Sequence, residues 1–175
     1  MIDVHMSASA MADGHSENVA NALGRYFRCK PCDGKGADSP RLHLTARRLP
    51  EPFRIYPDRG VVVSTWDSDA ICAYTGLQLD QYVLISSLLA LSKWRVLRRN
   101  PLLRAEDLYH PADVRCVFAE PPSVQDFALL LDPPVVCRGC VDFYHCLGAD
   151  SELIALREVI AEAISGRTET FCRSR

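Results

Sequence analysis

The spacing of hydrophobic and polar positions changes its period once along the chain. In "RLHLTAR", residues 41–47, Leu42, Leu44 and Ala46 alternate with His43, Thr45 and Arg47, the period of a strand with one buried face. "FRIY" and "GVVVST" follow as further strands, the second apolar enough to lie inside a sheet. After "WDSDAICAYTG", expected to be a loop, the period becomes 3.6. Leu84, Leu88, Leu91 and Arg95 trace one stripe, and Ile85, Leu89 and Val96 widen it. That spacing predicts a long central helix from Asp80, as N-cap, to Arg99, stopped by Asn100-Pro101.

Shorter patterns flank this centre. Upstream, Ser16 can cap a helix over "ENVANALGRYF", in which Val19, Leu23 and Phe27 share one side, and "RCKPCDGKGADSP" is turn chemistry throughout. Downstream, "VRCVF" reads as a short strand. "SVQDFALLL" reads as a short helix with Ser123 and Asp126 in capping-box positions, ended by Pro133-Pro134. A final helix is predicted from near Ser151, with Leu153, Leu156, Ile160 and Ile164 inward and Gly166 as its stop. Strands grouped early and helices grouped late predict an α+β domain: a small mixed sheet from the N-terminal half, a long central helix and a helical C-terminal part.

Length and composition bear on how many cores this makes. The 175 residues, 48% hydrophobic and 24% charged, suffice for one domain with a genuine core, expected over residues 16–168 behind a small, polar and disordered tail at 1–15. The start of the chain lacks the basic and apolar run of a secretory signal. The longest apolar stretch, residues 82–91, falls well short of the roughly 20 residues that span a bilayer. A cytoplasmic protein is therefore expected, with no membrane partner. In that reducing setting the eight Cys point to metal binding, redox sensing or burial rather than to disulfides.

The net charge of −2 is unevenly spread. Lys and Arg outnumber Asp and Glu by nine to four over residues 25–60 and by five to none over 93–104, whereas 105–175 carry six against twelve. Such asymmetry can guide a protein partner or a nucleic acid, and a protein partner is the one expected. Nucleic acid is not the expected one, because Trp94 is the sole aromatic among the basic residues of "KWRVLRRNPLLR", too few for a stacking platform.

The sharpest chemical feature is "CRGC", residues 137–140. Two Cys at C-x-x-C with a Gly between them form a knuckle whose amides face sulfur, so that both thiolates point at one ion. Cys116 and His110 complete a Cys3His set with Cys137 and Cys140, the four ligands of a structural zinc site within a C-terminal part spanning 110–147. His145 and Cys146 in "FYHC" are alternative ligands for the fourth position. The competing structural explanation is plain burial of Cys116 and Cys146 as small hydrophobes, with His110 at the surface. A thioredoxin-like redox pair is less favoured, since that motif opens a helix directly after a strand and this one follows "LDPPVV".

The order of His110, then Cys116 with two apolar residues after it, then a short helix, then Cys137 and Cys140 resembles the C-terminal end of the archaemetzincins, metallopeptidases of the zincin class. The resemblance implies that His110 stands where that family has its third catalytic His. It implies too that Cys116, Cys137 and Cys140 stand on three of the four ligands of a second, structural zinc. The fourth falls on Pro111, which cannot bind metal, so His110, His145 or Cys146 must complete the site. The likeness covers about the last third of the domain. Catalysis does not carry over: a zincin needs H-E-x-x-H on a helix, and no two of His5, His15, His43, His110 and His145 are four apart. The implied protein is a degenerate relative that keeps a zinc-stabilised scaffold without the reaction.

Upstream, "CKPCDGKG" is similar to one repeat of the zinc-binding region of DnaJ-type chaperones, which makes Cys29 and Cys32 a candidate second metal site with His43 or Cys72 as further ligands. A Gly-rich loop with two surface thiols is the simpler explanation. "WDSD" places Asp67 and Asp69 after an apolar strand, and Cys72 lies nearby. Together they form the candidate site of a hydrolase, set against a turn or helix-capping role for the two carboxylates. No Walker A, G-x-G-x-x-G or G-x-S-x-G motif is present. The sequence therefore favours a non-catalytic zinc-binding interaction or regulatory protein with no assigned catalytic residue. A hydrolase near Asp67, Asp69 and Cys72, or a thiol redox sensor at Cys137 and Cys140, stands as the alternative.

Overall fold

A computed structural model describes residues 3–6, 41–109, 115–119 and 124–173. Four strands form one mixed sheet in the order β1-β2-β4-β3: β1 (Asp3–Met6), β2 (Arg41–Thr45), β3 (Phe53–Tyr56) and β4 (Gly60–Ser64). β1 and β4 flank β2 in parallel, whereas β3 returns antiparallel on the far side of β4. β1 lies inside the segment expected to be disordered; the expected helix over 16–27 and the Cys29/Cys32 pair lie outside the described residues.

The period-two expectation for β2 corresponds to the observed faces. Leu42 and Leu44 are buried with Val61 and Val63 of β4 and Phe53 of β3, while His43 is exposed on the other face. Register pairs Leu42 with Val61 and Leu44 with Val63, so the apolar rows of neighbouring strands coincide. β3 and β4 are joined by a tight turn in which the Arg59 amide donates to the Tyr56 carbonyl (2.9 Å) and Gly60 takes φ +116°. A Cβ at Gly60 would stand 2.1 Å from the Arg41 carbonyl oxygen, so the close approach of β4 to β2 requires glycine.

Among the described residues five α-helices follow: α1 (Ser68–Thr75), α2 (Leu79–Arg99), α3 (Val124–Leu130), α4 (Arg138–Cys146) and α5 (Asp150–Arg173). The helix α1 replaces the loop expected there. Its apolar signal is thin, with Ile71 the only large buried apolar residue it contributes. α2 runs for 21 residues and starts from Gln78, not Asp80, through reciprocal bonds between Gln78 and Gln81. It is buried on nearly every side, because the sheet covers one flank and α5 the other; Ser86, Ser87 and Ser92 are as enclosed as its leucines. α5 begins at Asp150 and runs on past Gly166, where a stop was expected; Ile164, expected inward, is 38% exposed.

α2 carries a buried charge, Lys93, and a partly buried one, Arg95. Arg95 pairs with Glu152, whose side chain is only 1% exposed, and so joins α2 to α5. The Lys93 ammonium sits 3.0 Å from the Tyr109 ring centroid and 5.5 Å from that of Phe53, a cation enclosed by aromatic faces. The α4–α5 junction closes in a Schellman arrangement: Ala149 N donates to Tyr144 O, Gly148 N to His145 O, Gly148 takes φ +75°, and Arg99 donates to the Gly148 carbonyl. Gly60→Ala is expected to destabilise the fold by about 3 kcal/mol or more in urea denaturation, since backbone cannot withdraw from a Cβ at that distance. A change under about 0.5 kcal/mol would show that β2 and β4 do not approach as described.

Candidate metal centre

Cys116, Cys137 and Cys140 arrive from two stretches with little regular structure of their own. Residues 115–119 form a turn and not the expected strand: Ala119 N donates to Cys116 O, and Val117 N donates across to Val135 O (2.8 Å). That cross-link sets Cys116 beside the segment that ends at Cys137. Cys137 is the N-cap of α4, a helix the sequence pattern did not reveal, and Cys140 lies in its first turn. The C-x-x-C pair therefore does open a helix, contrary to the expectation used against a redox role. The preceding chain is no strand, showing only an isolated bridge between Leu131 and Pro134.

The three sulfurs lie within 4.8 Å of one another, and Cys116 and Cys140 are 3.6 Å apart. Tetrahedral zinc with bonds of about 2.3 Å to sulfur requires sulfur separations of about 3.8 Å, so this spacing accommodates one ion. Backbone amides point at the same atoms. Phe118 N and Cys137 N donate to Cys116 Sγ at 3.5 and 3.4 Å, and Cys140 N donates to Cys137 Sγ at 3.4 Å. Amide donors of this kind hold anionic sulfur in a zinc knuckle. Without a cation, three thiolates cannot share the corner: the Cys116 sulfur, burial and Cys137 push the Cys140 thiol far above its ordinary range. Cys116 and Cys140 are buried and Cys137 half-buried, so a metal there would be largely shielded from water.

An aromatic wall backs the sulfurs. Tyr144 stacks against Phe118 with centroids 4.2 Å apart, and its hydroxyl donates to the Leu108 carbonyl (3.2 Å), tying α4 to the turn that follows α2. A cavity of about 290 Å³ adjoins the site, bounded by Tyr109, Cys137, Cys140 and Phe143. His110 lies outside the described residues. His145 and Cys146, the alternative fourth ligands, are exposed and stand outside the cluster; His145 instead bonds Asp150 through Nδ1. Helix geometry explains this, since positions five and six beyond Cys140 are turned roughly 140° and 240° away from it. Among the described residues these three Cys form the only cluster with metal-ligand spacing.

The residues of the candidate hydrolase site are divided between faces of α1, with Asp69 beside Cys72. Asp67, Ala70, Ile71 and Tyr74 share one face of α1 and line a separate cleft, whereas Cys72 lies on another face, packed against the core. Burial, with Asp69 and Asp80 nearby, pushes its thiol up to about 11. Asp67 occupies the N-cap position of α1 but its side chain caps nothing, so the capping role weighed for it is absent too. Compared with known proteins, the chain matches no family model, no curated protein and no solved structure.

A raised thiol pKa means the folded state holds that proton more tightly than the unfolded one. Its stabilising effect is complete below pH 9.0, the ordinary value, and is lost as pH rises toward 11. Iodoacetamide at pH 7.5 is accordingly expected to modify exposed Cys146 and spare Cys72, with Cys72 labelling climbing as pH approaches 11, as read by peptide mass mapping. Equal labelling of the two at pH 7.5 would restore Cys72 as a nucleophile.

Proposed function

We propose that this chain is a non-catalytic zinc-binding protein that acts through a protein partner. In it Cys116, Cys137, Cys140 and His110 hold one structural zinc on a scaffold related to the archaemetzincins. The observation that carries the metal is the convergence of three sulfurs with three backbone amides turned toward them. Zinc suits this donor set better than magnesium or calcium, which take oxygen ligands. Supporting His110 as fourth ligand, Tyr109, the residue before it, lines the same cavity as Cys137 and Cys140.

A structural role is supported by what the ion would join. It would bind the 115–119 turn to the start of α4, and binding free energy at such a site counts as folding free energy. Peptidase chemistry has no support from α2, the helix that a zincin would use, because it contains neither His nor Glu and is enclosed along most of its length. A thiol switch is the second reading, favoured by the 3.6 Å between Cys116 and Cys140 and by the helix that C-x-x-C opens. Two thiols and one peroxide give a disulfide and two waters, with loss of the metal site.

Elemental analysis of untagged protein is expected to give about one zinc per chain, falling to near zero in Cys137→Ser with a melting temperature lower by about 5 °C or more. No zinc in the parent protein, or an unchanged melting temperature in the variant, would overturn the structural site. Mild peroxide that releases zinc, with recovery after reduction, would move the thiol switch ahead.

A further inference from the structure

The cavity beside the sulfurs has a chemistry of its own. At about 290 Å³ it lies near the small end of ordinary ligand clefts and holds about ten times the volume of one water molecule in the liquid, room for a small organic molecule. Leu108, Phe143 and Tyr144 give it apolar walls, and these run from the interior to the surface, since Tyr144 is fully buried and Phe143 is 39% exposed. Besides the sulfurs, Asp107 is the only acidic or basic side chain among the described lining residues. Such a pocket selects its ligand by apolar contact.

Two nucleophilic sulfurs, those of Cys137 and Cys140, also line it, and they are not equally reachable. Cys137 is half-buried, whereas Cys116 and Cys140 are buried. Gly139 lines the cavity too, and a Cβ there would stand 3.9 Å from Cys137 Sγ, so glycine leaves the approach to that sulfur clear. Cys140 Sγ lies within 4.8 Å of both other sulfurs, and among the described residues no backbone amide donates to it, whereas two donate to Cys116 Sγ. A molecule in the cavity therefore meets Cys137 first, and Cys140 is the sulfur least held in place behind it. A carbon electrophile would use one sulfur and leave the other idle. A two-electron oxidant uses both, since the second thiol closes a disulfide on the first.

We propose that this cavity admits an organic hydroperoxide, ROOH with an aryl or branched alkyl group R, whose reaction with Cys137 and Cys140 releases the metal. R packs against Leu108, Phe143 and Tyr144 while the Cys137 sulfur attacks the outer peroxide oxygen. The O–O bond breaks, Cys137 becomes a sulfenic acid, and the alkoxide takes a proton from solvent and leaves as ROH. Cys140 then displaces the sulfenic hydroxyl, which leaves as water with a second proton. Two thiolates, one ROOH and two protons thus give one disulfide, one ROH and one water. Zinc, left with two of its four ligands, dissociates, and the 115–119 turn loses its tie to α4 while both oxidised sulfurs stay at the head of that helix. This deepens the reading of the chain as a zinc-binding protein by naming what regulates the site, and it rests on that reading.

The test follows zinc release from the zinc-loaded full chain with a chromophoric chelator, under cumene hydroperoxide and under hydrogen peroxide, each rate divided by that of the same oxidant with free cysteine. Cumene hydroperoxide is expected to be favoured about tenfold or more, the effect of burying part of one aromatic ring. Phe143→Ala is expected to bring the two normalised rates within about threefold while still holding one zinc per chain. Dimedone is expected to trap the sulfenic acid at Cys137, and non-reducing peptide mass mapping to find the Cys137–Cys140 disulfide. Equal normalised rates in the parent protein, a preference that Phe143→Ala leaves intact, or a disulfide containing Cys116 would each overturn the proposal. Zinc content measured beforehand keeps the two readings distinct. No zinc in the parent protein overturns the structural site itself, whereas one zinc per chain released at equal rates overturns the hydroperoxide site alone.

Discussion

Three sulfur atoms held within 4.8 Å of one another in a shielded corner are the constraint on which the C-terminal half depends. The sheet and α2 account for themselves by burial, with coincident apolar rows on β2 and β4 facing a helix enclosed on most sides. Between α2 and α5 the described chain has no such framework. It holds a short 3-10 turn at Ala105–Leu108, one isolated bridge and two helices of seven and nine residues. Helices that short are marginal without tertiary support. The Cys116 turn, the Val117–Val135 bond and the cap at Cys137 meet at one point, and a cation there would neutralise sulfur charge that burial otherwise opposes.

Much of the fold was legible in the sequence where burial imposes a pattern. β2 and the start of α5 bury one face and repeat their apolar residues every second or every third to fourth position, whereas β4 and α2, enclosed on nearly every side, stand out as dense apolar stretches. α1 and α4 escaped that logic. In "SDAICAYT" and "RGCVDFYHC" the buried residues are few, Ser68, Ile71 and Thr75 in one and Cys140 and Tyr144 in the other, too few for an apolar period. "VRCVF" misled in the opposite direction: its apolar run suggests a strand, but the Phe118 amide is spent on the Cys116 sulfur.

The candidate site was partly legible for a related reason. C-x-x-C places Cys137 and Cys140 within one turn whatever surrounds them, so their pairing is local information. Bringing in Cys116 from more than twenty residues away depends on a backbone bond to Val135 that no spacing encodes. Of the residues offered for the fourth position, His145 and Cys146 are rotated away on α4, and His110 lies outside the described residues. The group of Asp67, Asp69 and Cys72 is divided by the same geometry, with Asp69 remaining beside Cys72. α1 assigns Asp67 to the cleft and Cys72 to the core, so residues close in the chain serve different surfaces.

Zinc K-edge X-ray absorption on the purified chain tests the central claim most directly. The account predicts three sulfur scatterers at about 2.3 Å and one nitrogen at about 2.0 Å, a closed Cys3His shell. Absence of bound zinc, or a shell dominated by oxygen, would contradict it.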